Sequence, residues 1–358
     1  MHLTELRIRN FRCIAEAELA PGAGINLIIG DNASGKSSLL EAIYFLGRAQ
    51  SFRGTPSDRL IRSGARTLSV FGRVRNGTGL ETSLGVLRGD RHSRIKIGAR
   101  EDAGIVELVA ALPVQVIDPR LHRLLEEGPE QRRRFLDWGV FHVEQGFYPA
   151  WLRYQRALRQ RNRTLRAAAP AAEVCAWDVE LAQQAEQIDR VRRRYLGALD
   201  EVLPGIMLRL FDAAAVTVEY APGWPEGQTL AAALAAALVR DRELGFTHLG
   251  PHRADLRIRL HGLQARTRAS RGEQKLISAG LLLAQAELLR RRRGCLPLLL
   301  IDDLAAELDA RSRARLFDAI QTQGAQAFLS FLEPGQIPDG AGGHPMFHVE
   351  HGQVRRRA

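Results

Sequence analysis

The sequence has few residues of several kinds, and each shortage narrows the class of protein. There are only three cysteines, Cys13, Cys175 and Cys295, which are far apart and odd in number. They exclude a disulfide framework, offer no metal-ligand spacing and favour a reducing compartment. The longest apolar runs, Leu281–Leu289 and Cys295–Ile301, are too short to cross a membrane. The opening residues lack the basic start and apolar middle of a signal peptide, so a cytoplasmic protein is expected.

Lysine is also scarce, since Lys36, Lys96 and Lys275 are the only lysines among 51 basic residues. The net charge is nevertheless +11, and the isoelectric point is near 10.4. Arginine stays charged at physiological pH, and its planar fork matches phosphate geometry. A codon bias on a solvated surface would explain the arginine-to-lysine ratio, but it does not explain the net positive excess. The charge therefore favours a polyanionic partner.

Residues Gly30–Ser37 have the G-x-x-x-x-G-K-S pattern of a phosphate-binding loop. The apolar run Ile25–Ile29 predicts a buried strand before the loop, and Ser37–Leu46 has helical periodicity after it. In this motif the loop N–H groups and the helix N-terminus face phosphate oxygens. Lys36 is expected to reach the β- and γ-phosphates of ATP, and Ser37 to ligate Mg²⁺. A glycine-rich turn that binds nothing is the weaker alternative.

Two acids follow a second aliphatic run, Leu298–Ile301, which suits a parallel strand buried on both faces. Asp302 is expected to hold Mg²⁺, and Asp303 to orient or deprotonate the attacking water. A single aspartate after a strand would be explained as a helix cap or a turn. Two adjacent acids in a chain with a phosphate-binding loop favour a metal site.

The segment Ser270–Lys275, Ser-Arg-Gly-Glu-Gln-Lys, lies 32 residues before the paired aspartates (302 − 270). A serine and a glycine at a helix start form a second candidate anion site. By itself the segment would be explained as an ordinary helix cap. Its distance from Asp302 and Asp303 instead favours a nucleotide role.

Hydrophobic periodicity divides the chain into three parts. Alternating residues predict strands on both sides of the first helix in residues 1–120. Residues 121–244 are predicted to be largely helical, and the alternation of strands and helices returns in residues 245–358. The sequence thus predicts one α/β head in two halves, with a helical domain inserted between them.

Together the motifs resemble an ABC-type ATPase head whose D-loop ends at Leu308-Asp309. The interval from Lys36 to Asp302 is 266 residues (302 − 36), which is similar to the SMC and recombination ATPases and too long for a transporter ATPase. Several further segments resemble the RecF family in combination. They are Leu6–Arg12, Ser51–Arg53, Leu112–Ile117, Arg132–Asp137, Gln160–Asn162, Trp177-Asp178 and Gly250–Arg253.

The resemblance implies a P-loop mixed sheet with flanking helices, an antiparallel β subdomain and an inserted helical domain. It also implies an ATP-dependent DNA-binding protein of replication, recombinational gap repair and the SOS response. Such a protein would form an ATP-dependent homodimer on duplex or gapped DNA. With RecR and RecO it would promote RecA loading, and no membrane is implied.

The resemblance also implies a set of site residues. Cofactor binding is expected at Gly30, Asp31, Asn32, Ala33, Ser34, Gly35, Lys36, Ser37, Ser38, Arg12, Gly272 and Gln274. Catalytic roles are expected for Lys36, Asp302, Asp303 and Ser270, and Mg²⁺ is expected at Ser37, Gln115 and Asp302. For Gln115, a strand residue on a polar face is an equal alternative. Residues Ser270–Gln274 of one subunit would close over the γ-phosphate held by the other.

Two departures from transporter heads predict slow hydrolysis that acts as a timer, and the resemblance implies an ATPase that DNA stimulates. Asp303 is one methylene shorter than the usual glutamate, and no switch histidine follows Gln326. Three alternatives differ in their predictions. A transport ATPase subunit predicts a short interval and a switch histidine, another SMC-like clamp shares all the motifs, and a degenerate scaffold would lack Lys36 or Asp302.

Clustered arginines are the candidates for DNA contact. The six chosen are Arg132, Arg133, Arg134, Arg159, Arg161 and Arg163, and further candidates are Arg156, Arg166, Arg192–Arg194 and Arg290–Arg293. An electropositive track suffices for sequence-independent duplex binding. The alternative is a solvated helical face with ion pairs to Glu126, Glu127 and Glu130. Few aromatic residues lie among the arginines, which disfavours stacking on single strands.

Overall fold

The structure is a computed structural model that describes residues 1–89, 93–211, 215–303, 308–338, 340 and 343–357. The chain divides into two compact units. The first comprises Met1–Leu121 with Arg271–Ala358, and the second comprises His122–Ser270.

The N-terminal part of the first unit contains seven strands and two helices. They are β1 (His2–Phe11), β2 (Ile14–Leu19), β3 (Ile25–Ile29), α1 (Lys36–Arg48), β4 (Thr67–Arg75), β5 (Glu81–Gly89), β6 (Ser93–Ile97), α2 (Ile105–Ala111) and β7 (Val114–Ile117).

The second unit is mainly helical. Its elements are α3 (Arg123–Glu126), α4 (Pro129–Val143), α5 (Phe147–Arg166), α6 (Ala171–Cys175), α7 (Asp178–Leu210), β8 (Val216–Ala221), α8 (Leu230–Leu244), β9 (Asp255–Leu260), β10 (Leu263–Gln264) and α9 (Ala265–Arg268).

The chain then returns to the first unit. The remaining elements are α10 (Arg271–Arg293), β11 (Leu298–Ile301), α11 (Ala310–Gln323), β12 (Ala327–Phe331), β13 (Met346–Glu350) and β14 (Gln353–Arg357). Short 3₁₀ turns occur at Ser57–Leu60, Pro251–Arg253 and Pro334–Gln336.

The first unit contains two sheets. One is antiparallel with the strand order β2-β1-β4-β5-β6, and the other has the order β14-β13-β3-β12-β11-β7. In the second sheet the five strands from β13 to β7 are parallel, and β14 is an antiparallel edge strand. Because β3, β11 and β12 each have neighbours on both sides, they are buried along their whole length.

Helix α1 lies between the two sheets and contributes to the core from both sides. Its residues Leu39, Leu40, Ile43 and Leu46 recur at helical spacing and are buried. They belong to one apolar cluster with residues of the antiparallel sheet and of the mixed sheet. This packing fixes the start of α1 relative to the C-terminal ends of the parallel strands.

In the second unit, α5 and α7 pack against each other, and α7 also contacts α4, α8 and β8. The strands β8, β9 and β10 form a small antiparallel sheet. The predicted boundary at 244/245 lies 26 residues before the division of the structure (270 − 244). The reason is that β9 pairs with β8 over six residue pairs, which keeps residues 255–260 with the second unit.

The predicted fold class is confirmed: an α/β head with a mixed P-loop sheet and an antiparallel sheet accompanies a helix-rich insertion. The elements that were not predicted include β2, α2 and β14. Strand β14 carries Arg355, Arg356 and Arg357 and is almost entirely exposed. As an edge strand without apolar alternation, it lacks the pattern by which strands are found in sequence.

Candidate functional site

The phosphate-binding loop lies between β3 and α1, and Lys36 is the first residue of the helix. Gly35 has a left-handed φ of 118°, a conformation that a side chain would strain. A β-carbon on Gly30 would lie 2.2 Å from the backbone oxygen of Val349. The two glycines of the motif are therefore required by backbone shape and by close packing.

The turn between β13 and β14 forms one wall of this loop. The backbone N–H of Gly352 donates to the carbonyl oxygen of Ser34 across 2.8 Å. A β-carbon on Gly352 would lie 2.3 Å from the carbonyl oxygen of Cys13, so the turn has no room for a side chain. The loop is thus braced by residues more than 300 positions later in the sequence.

The ammonium group of Lys36 lies against the loop backbone. Its Nζ donates to the carbonyl oxygens of Gly30, at 2.6 Å, and of Asp31, at 2.8 Å. Burial lowers the pKa of Lys36, and the charges of Asp303, Asp302 and Asp31 oppose this effect. The cation is therefore partly desolvated and would gain from a phosphate partner.

Asp302 meets the phosphate-binding loop at the C-terminal end of β11. Ser37 donates its hydroxyl to Asp302 Oδ1 across 2.9 Å, although the two residues are 265 positions apart. Arg53 faces the other carboxylate oxygen, with Nη2 3.4 Å from Asp302 Oδ2. Asp302 is only 8% exposed. The structure thus brings together the loop serine and the first of the paired acids.

Asp303 follows with a left-handed φ of 52°, which is uncommon for a residue other than glycine. Its backbone N–H donates to Ser330 Oγ across 2.8 Å, and the Ser330 hydroxyl donates to Asp302 Oδ1 across 3.1 Å. Ser330 lies on β12, the strand beside β11. One serine therefore fixes the positions of both aspartates.

A cavity of about 600 Å³ opens beside these groups, a volume typical of small-molecule sites. Its lining consists of Cys13, residues 32–38, Arg53, Pro119, Asp302, Asp303, Ser330, Leu332 and Gln336.

The chemistry of the cavity fits a nucleotide and a magnesium ion. Ser34 Oγ is buried and has no hydrogen-bond partner among the described residues. The loop N–H groups and Lys36 are donors for phosphate oxygens. The oxygen atoms of Ser37 and Asp302 are the kind of ligand that Mg²⁺ prefers.

Arg12 is not among the residues that line this cavity, so its role in cofactor binding stays a prediction. Its Nε and Nη2 lie 2.9 Å and 3.0 Å from the two carboxylate oxygens of Glu41. Its Nη2 is also 2.8 Å from Thr55 Oγ1. Glu41 is fully buried on α1, and a buried carboxylate needs a cation beside it.

Gln115 is likewise absent from the cavity lining, which contradicts its prediction as a magnesium ligand. It is buried on β7, where its Nε2 donates to Gln285 Oε1 across 3.2 Å. In the sheet it pairs with Leu299, three residues before Asp302. Three residues along a strand span about 10 Å, so its side chain lies too far back from the strand end.

The signature segment falls at the division between the two units. Ser270 is exposed and is the last residue of the second unit, whereas α10 begins at Arg271 in the first. Gly272 and Gln274 lie in the first turn of α10, and neither lines the cavity. Their predicted action on the nucleotide of a second subunit stays a prediction.

Residues 304–307 of the predicted D-loop lie outside the described residues. The segment ends at Asp309, which caps α11 by accepting a hydrogen bond from the backbone N–H of Ser312 across 2.7 Å. This cap ties the end of the D-loop to a helix of the first unit.

Three of the six arginines predicted to contact DNA have partners within the second unit. Arg161 is fully buried. Its Nε lies 2.6 Å from Asp178 Oδ1, and its Nη1 lies 2.6 Å from Asp241 Oδ2. The prediction for Arg161 is wrong because its charge is used within the unit.

Arg132 and Arg133 contact the start of β9 within the second unit. Arg132 makes two hydrogen bonds to the Asp255 carboxylate, at 2.7 Å and 3.1 Å, and Arg133 donates to the carbonyl oxygen of Ala254 across 2.9 Å. Both arginines thus have partners within the second unit but are only partly buried, so their contact with DNA stays a prediction. Arg134 is exposed and pairs with Glu130 across 2.6 Å.

Helix α5 carries a second, exposed group of arginines, which includes the predicted Arg159 and Arg163. Its members are Arg153, Arg156, Arg159, Arg163 and Arg166, which we call the α5 arginine stripe. A spacing of three or four residues places them on one side of the helix over about 20 Å. The helix has no acidic residue, and among the described residues none of the five is in an ion pair.

The sequence analysis missed Arg53, Ser330 and Cys13 as residues of the cavity. Arg53 is part of the Ser51–Arg53 segment that carries the family resemblance, which was the only signal for it. For Ser330 the only signal in the sequence was that no switch histidine follows Gln326. Cys13 had no signal, since its place depends on the turn between β1 and β2.

Two kinds of feature are absent from the part of the chain that the structure describes. No helix there combines the length and apolar content of a membrane span. No group of three or more His, Cys, Asp or Glu side chains there could hold a metal ion. Magnesium at Asp302 would therefore need phosphate or water oxygens to complete its ligands.

Comparison with known proteins shows strong similarity over almost the whole chain. The family described as RecF/RecN/SMC N terminal domain matches residues 2–354. The DNA replication and repair protein RecF of Shewanella piezotolerans is 40% identical over 357 residues, covering 99% of each chain. The protein of the same name from Pseudomonas aeruginosa strain LESB58 is 41% identical over 361 residues, covering 99% of this chain and 97% of its own.

Solved structures agree with this similarity. The recombination mediator protein RecF with ATP, described as part of the RecFOR pathway, has a TM-score of 0.88 at 26% identity, covering 100% of this chain and 98% of that one. An SMC head bound to the C-winged helix domain of ScpA has a TM-score of 0.63 at 16% identity, with coverage of 100% and 98%. The second likeness concerns the fold alone.

Proposed function

The chain belongs to the RecF family, and on this basis we propose that it is an ATP-dependent DNA-binding protein of replication and recombinational gap repair. It would dimerise on DNA when ATP is bound and release the DNA after slow hydrolysis. The observation that carries the proposal is the hydrogen bond between Ser37 and Asp302 at the mouth of the cavity. It joins the phosphate-binding loop to the acid that ends a buried strand.

The chain's own groups account for nucleotide binding. The loop backbone and the N-terminus of α1 offer N–H donors to the phosphates, and Lys36 adds a charge-assisted hydrogen bond. Arg53 faces the cavity from the side of Asp302 and supplies a further cation for the terminal phosphates. The unpartnered Ser34 hydroxyl is a further polar contact.

Ser37 and Asp302 would hold the metal ion, since their oxygens already lie together at the cavity. Bound Mg²⁺ would supply Lewis-acid stabilisation of the charge that develops on the phosphate oxygens. Asp303 would orient the attacking water, because it lines the same cavity and is held by Ser330. Its short side chain supports slow hydrolysis, so that the nucleotide acts as a timer.

Dimerisation follows from the position of the signature segment. Gly272 and Gln274 lie outside the lining of their own subunit's cavity, and Gly272, in the first turn of α10, is partly exposed. Ser270 immediately precedes α10 and is exposed, so its hydroxyl and the helix N-terminus could contact a γ-phosphate from outside. Two such contacts related by a two-fold axis would close a clamp.

The α5 arginine stripe is the proposed contact to duplex DNA. Its five guanidinium groups are exposed and lack carboxylate partners among the described residues. The stripe replaces the buried Arg161 and the partly buried Arg132 and Arg133 as the electrostatic track, and it suits phosphates without reading bases. RecR and RecO are the proposed partners, with which the clamp would promote RecA loading at single-strand gaps and support the SOS response.

Sedimentation velocity tests this proposal with full-length protein, a short DNA duplex and a non-hydrolysable ATP analogue. The expected result is a protein dimer on the duplex only when the nucleotide is present. Lys36→Arg should prevent dimerisation because it disturbs the phosphate contacts, and Ser270→Arg should prevent it by blocking the second subunit's phosphate.

Arg9→Ala is a matched control, since Arg9 is exposed and pairs with Glu16 away from the cavity. It should dimerise like the unchanged protein. A protein that binds the analogue yet stays monomeric on the duplex would contradict the clamp.

A further inference from the structure

Residues 51–55 form a loop that brings the cation Arg53 to the cavity. The Arg53 guanidinium lies 3.4 Å from Asp302 Oδ2 and 5.8 Å from the centroid of the Phe52 ring. Its side chain is 40% exposed, so these contacts leave it partly in solvent. The position of Arg53 therefore depends on the backbone of its loop.

A single buried carboxylate holds this loop on both sides of Arg53. Ser51 Oγ donates to Glu41 Oε1 on the near side. On the far side, Arg12 Nη2 bridges Glu41 Oε1, at 3.0 Å, and Thr55 Oγ1, at 2.8 Å. Ser51 lies two residues before Arg53, and Thr55 lies two residues after it. Hydrogen bonds therefore connect both ends of the loop to Glu41, directly from Ser51 and through Arg12 from Thr55.

Ser51 connects Glu41 to Arg53 by hydrogen bonds. The backbone N–H of Arg53 donates to Ser51 Oγ across 3.0 Å, while the Ser51 hydroxyl hydrogen is directed to Glu41. Two further contacts hold the middle of the loop. The Phe52 ring packs edge-on against Tyr44 of α1 at 5.6 Å, and Arg120 Nη2 lies 3.4 Å from the Phe52 carbonyl oxygen.

We propose that Glu41 is a positioning residue for nucleotide binding, which acts through Ser51 and Arg12 to present Arg53 to the phosphates. This inference rests on the ATP binding proposed above. Glu41 is on the phosphate-loop helix, five residues after Lys36, so one rigid element carries both the loop lysine and the anchor of Arg53. If Glu41 only stabilised the fold, the ion pair with Arg12 would be sufficient to neutralise its charge. Its contacts on both sides of Arg53 in a cavity loop would then be unnecessary.

The test compares the affinity of variants for a fluorescent ATP analogue with Mg²⁺. Arg53→Ala should weaken binding about tenfold, as expected for the loss of a charge-assisted hydrogen bond. Glu41→Gln keeps the size of the side chain and loses the charge that holds Arg12, and it should weaken binding to a similar extent. In the double variant the affinity should equal that of Arg53→Ala, because Glu41 acts only through Arg53.

Ser51→Ala provides a second variant that leaves the buried ion pair of Glu41 and Arg12 intact, which matters if Glu41→Gln does not fold. It should also weaken binding several-fold in the native background and have no effect in the Arg53→Ala background. Glu16→Gln is the matched control, since Glu16 pairs with Arg9 on the exposed face of the antiparallel sheet.

Three outcomes overturn the inference. The first is an unchanged affinity in both Glu41→Gln and Ser51→Ala, and the second is an additive loss in the double variants. The third is an unchanged affinity in Arg53→Ala while Lys36→Ala abolishes binding, which would leave the proposed function standing. If the unchanged protein bound no analogue at all, the proposed function itself would fail.

Discussion

Ser330 donates its hydroxyl to Asp302 Oδ1 across 3.1 Å, from the strand β12 that runs beside β11. Ser330 Oγ also accepts a hydrogen bond from the backbone N–H of Asp303 across 2.8 Å. A serine thus stands beside both acids at the position where the sequence lacks a switch histidine. Because a hydroxyl does not titrate near neutral pH, this position cannot respond to protonation as an imidazole would.

Ser330→Ala should slow ATP hydrolysis and leave ATP binding nearly unchanged. The variant loses a hydrogen bond that orients Asp302 and frees the backbone of Asp303, so we expect the turnover rate to fall about tenfold. Phosphate release at saturating ATP measures the rate, and a fluorescent analogue measures affinity. Ser83→Ala, a change on the antiparallel sheet, is the control. An unchanged turnover rate would remove Ser330 from the hydrolytic machinery.

The α5 arginine stripe should determine how DNA affinity depends on salt. Each phosphate contact contributes about 0.9 to the slope of log affinity against log salt concentration. Arg159→Ala with Arg163→Ala should therefore reduce the slope by about 2, measured by fluorescence anisotropy on duplex DNA with the ATP analogue present. Arg134→Ala is the matched control, since Arg134 is exposed but paired with Glu130. Equal slopes for the double variant and the control would place the DNA elsewhere.

Arg161→Ala should destabilise the second unit rather than weaken DNA binding specifically. The change leaves Asp241 fully buried without its cation, so we expect a loss of about 3–5 kcal/mol in the free energy of unfolding. Urea denaturation followed by circular dichroism measures this loss. Arg134→Ala should change the free energy by less than about 0.5 kcal/mol. A stable Arg161→Ala protein with normal nucleotide binding and lost DNA binding would restore the original assignment of Arg161.

His252 should make the second unit less stable in mild acid. Burial lowers its pKa to about 4, so the folded protein resists protonation where an unfolded histidine, with a pKa of 6.5, accepts a proton. Desolvation is the largest cause of the lowered pKa, and the nearby charges of Arg253 and Arg133 add to it, whereas the contact of Nε2 with the Thr247 carbonyl oxygen at 3.0 Å opposes it. The stability contributed by neutral His252 is present above pH 6.5 and is lost as the pH falls from 6.5 towards 4.

Urea denaturation at several pH values between 7.5 and 4.5 measures this loss. The slope for one proton is at most about 1.4 kcal/mol per pH unit, and His252→Gln should lower the overall slope by up to that amount. Because every other titrating group is the same in both proteins, the difference between their slopes reports His252. Identical slopes in the two proteins would show that His252 titrates alike in both states.

The phosphate-binding loop and the paired acids could be predicted because local sequence patterns encode them. The loop Gly30–Ser37 and the acids Asp302 and Asp303 each follow a short aliphatic run, so strand and function are encoded in adjacent residues. The meeting of Ser37 with Asp302 follows because parallel strands present their C-terminal ends at one edge of the sheet. These parts of the site needed no knowledge of distant contacts.

Burial and long-range pairing caused the errors. Arg161 and Arg134 are both arginines on helices, and nothing in the local pattern shows that only Arg161 faces Asp241. The ion pair of Arg12 with Glu41, 29 positions away, likewise has no signal in the local sequence pattern. The domain boundary was misplaced because the pairing of β8 with β9 joins segments that are separated by helix α8.

The brace on the phosphate-binding loop also determines the order in which the molecule can become active. Strand β3 lies between β12 and β13, and Gly352 supports the loop that follows β3. During translation, the ribosome makes the glycine-rich motif about 300 residues before the strands that enclose it. A growing polypeptide therefore lacks the hydrogen bond from Gly352 to this loop until residue 352 has been synthesised.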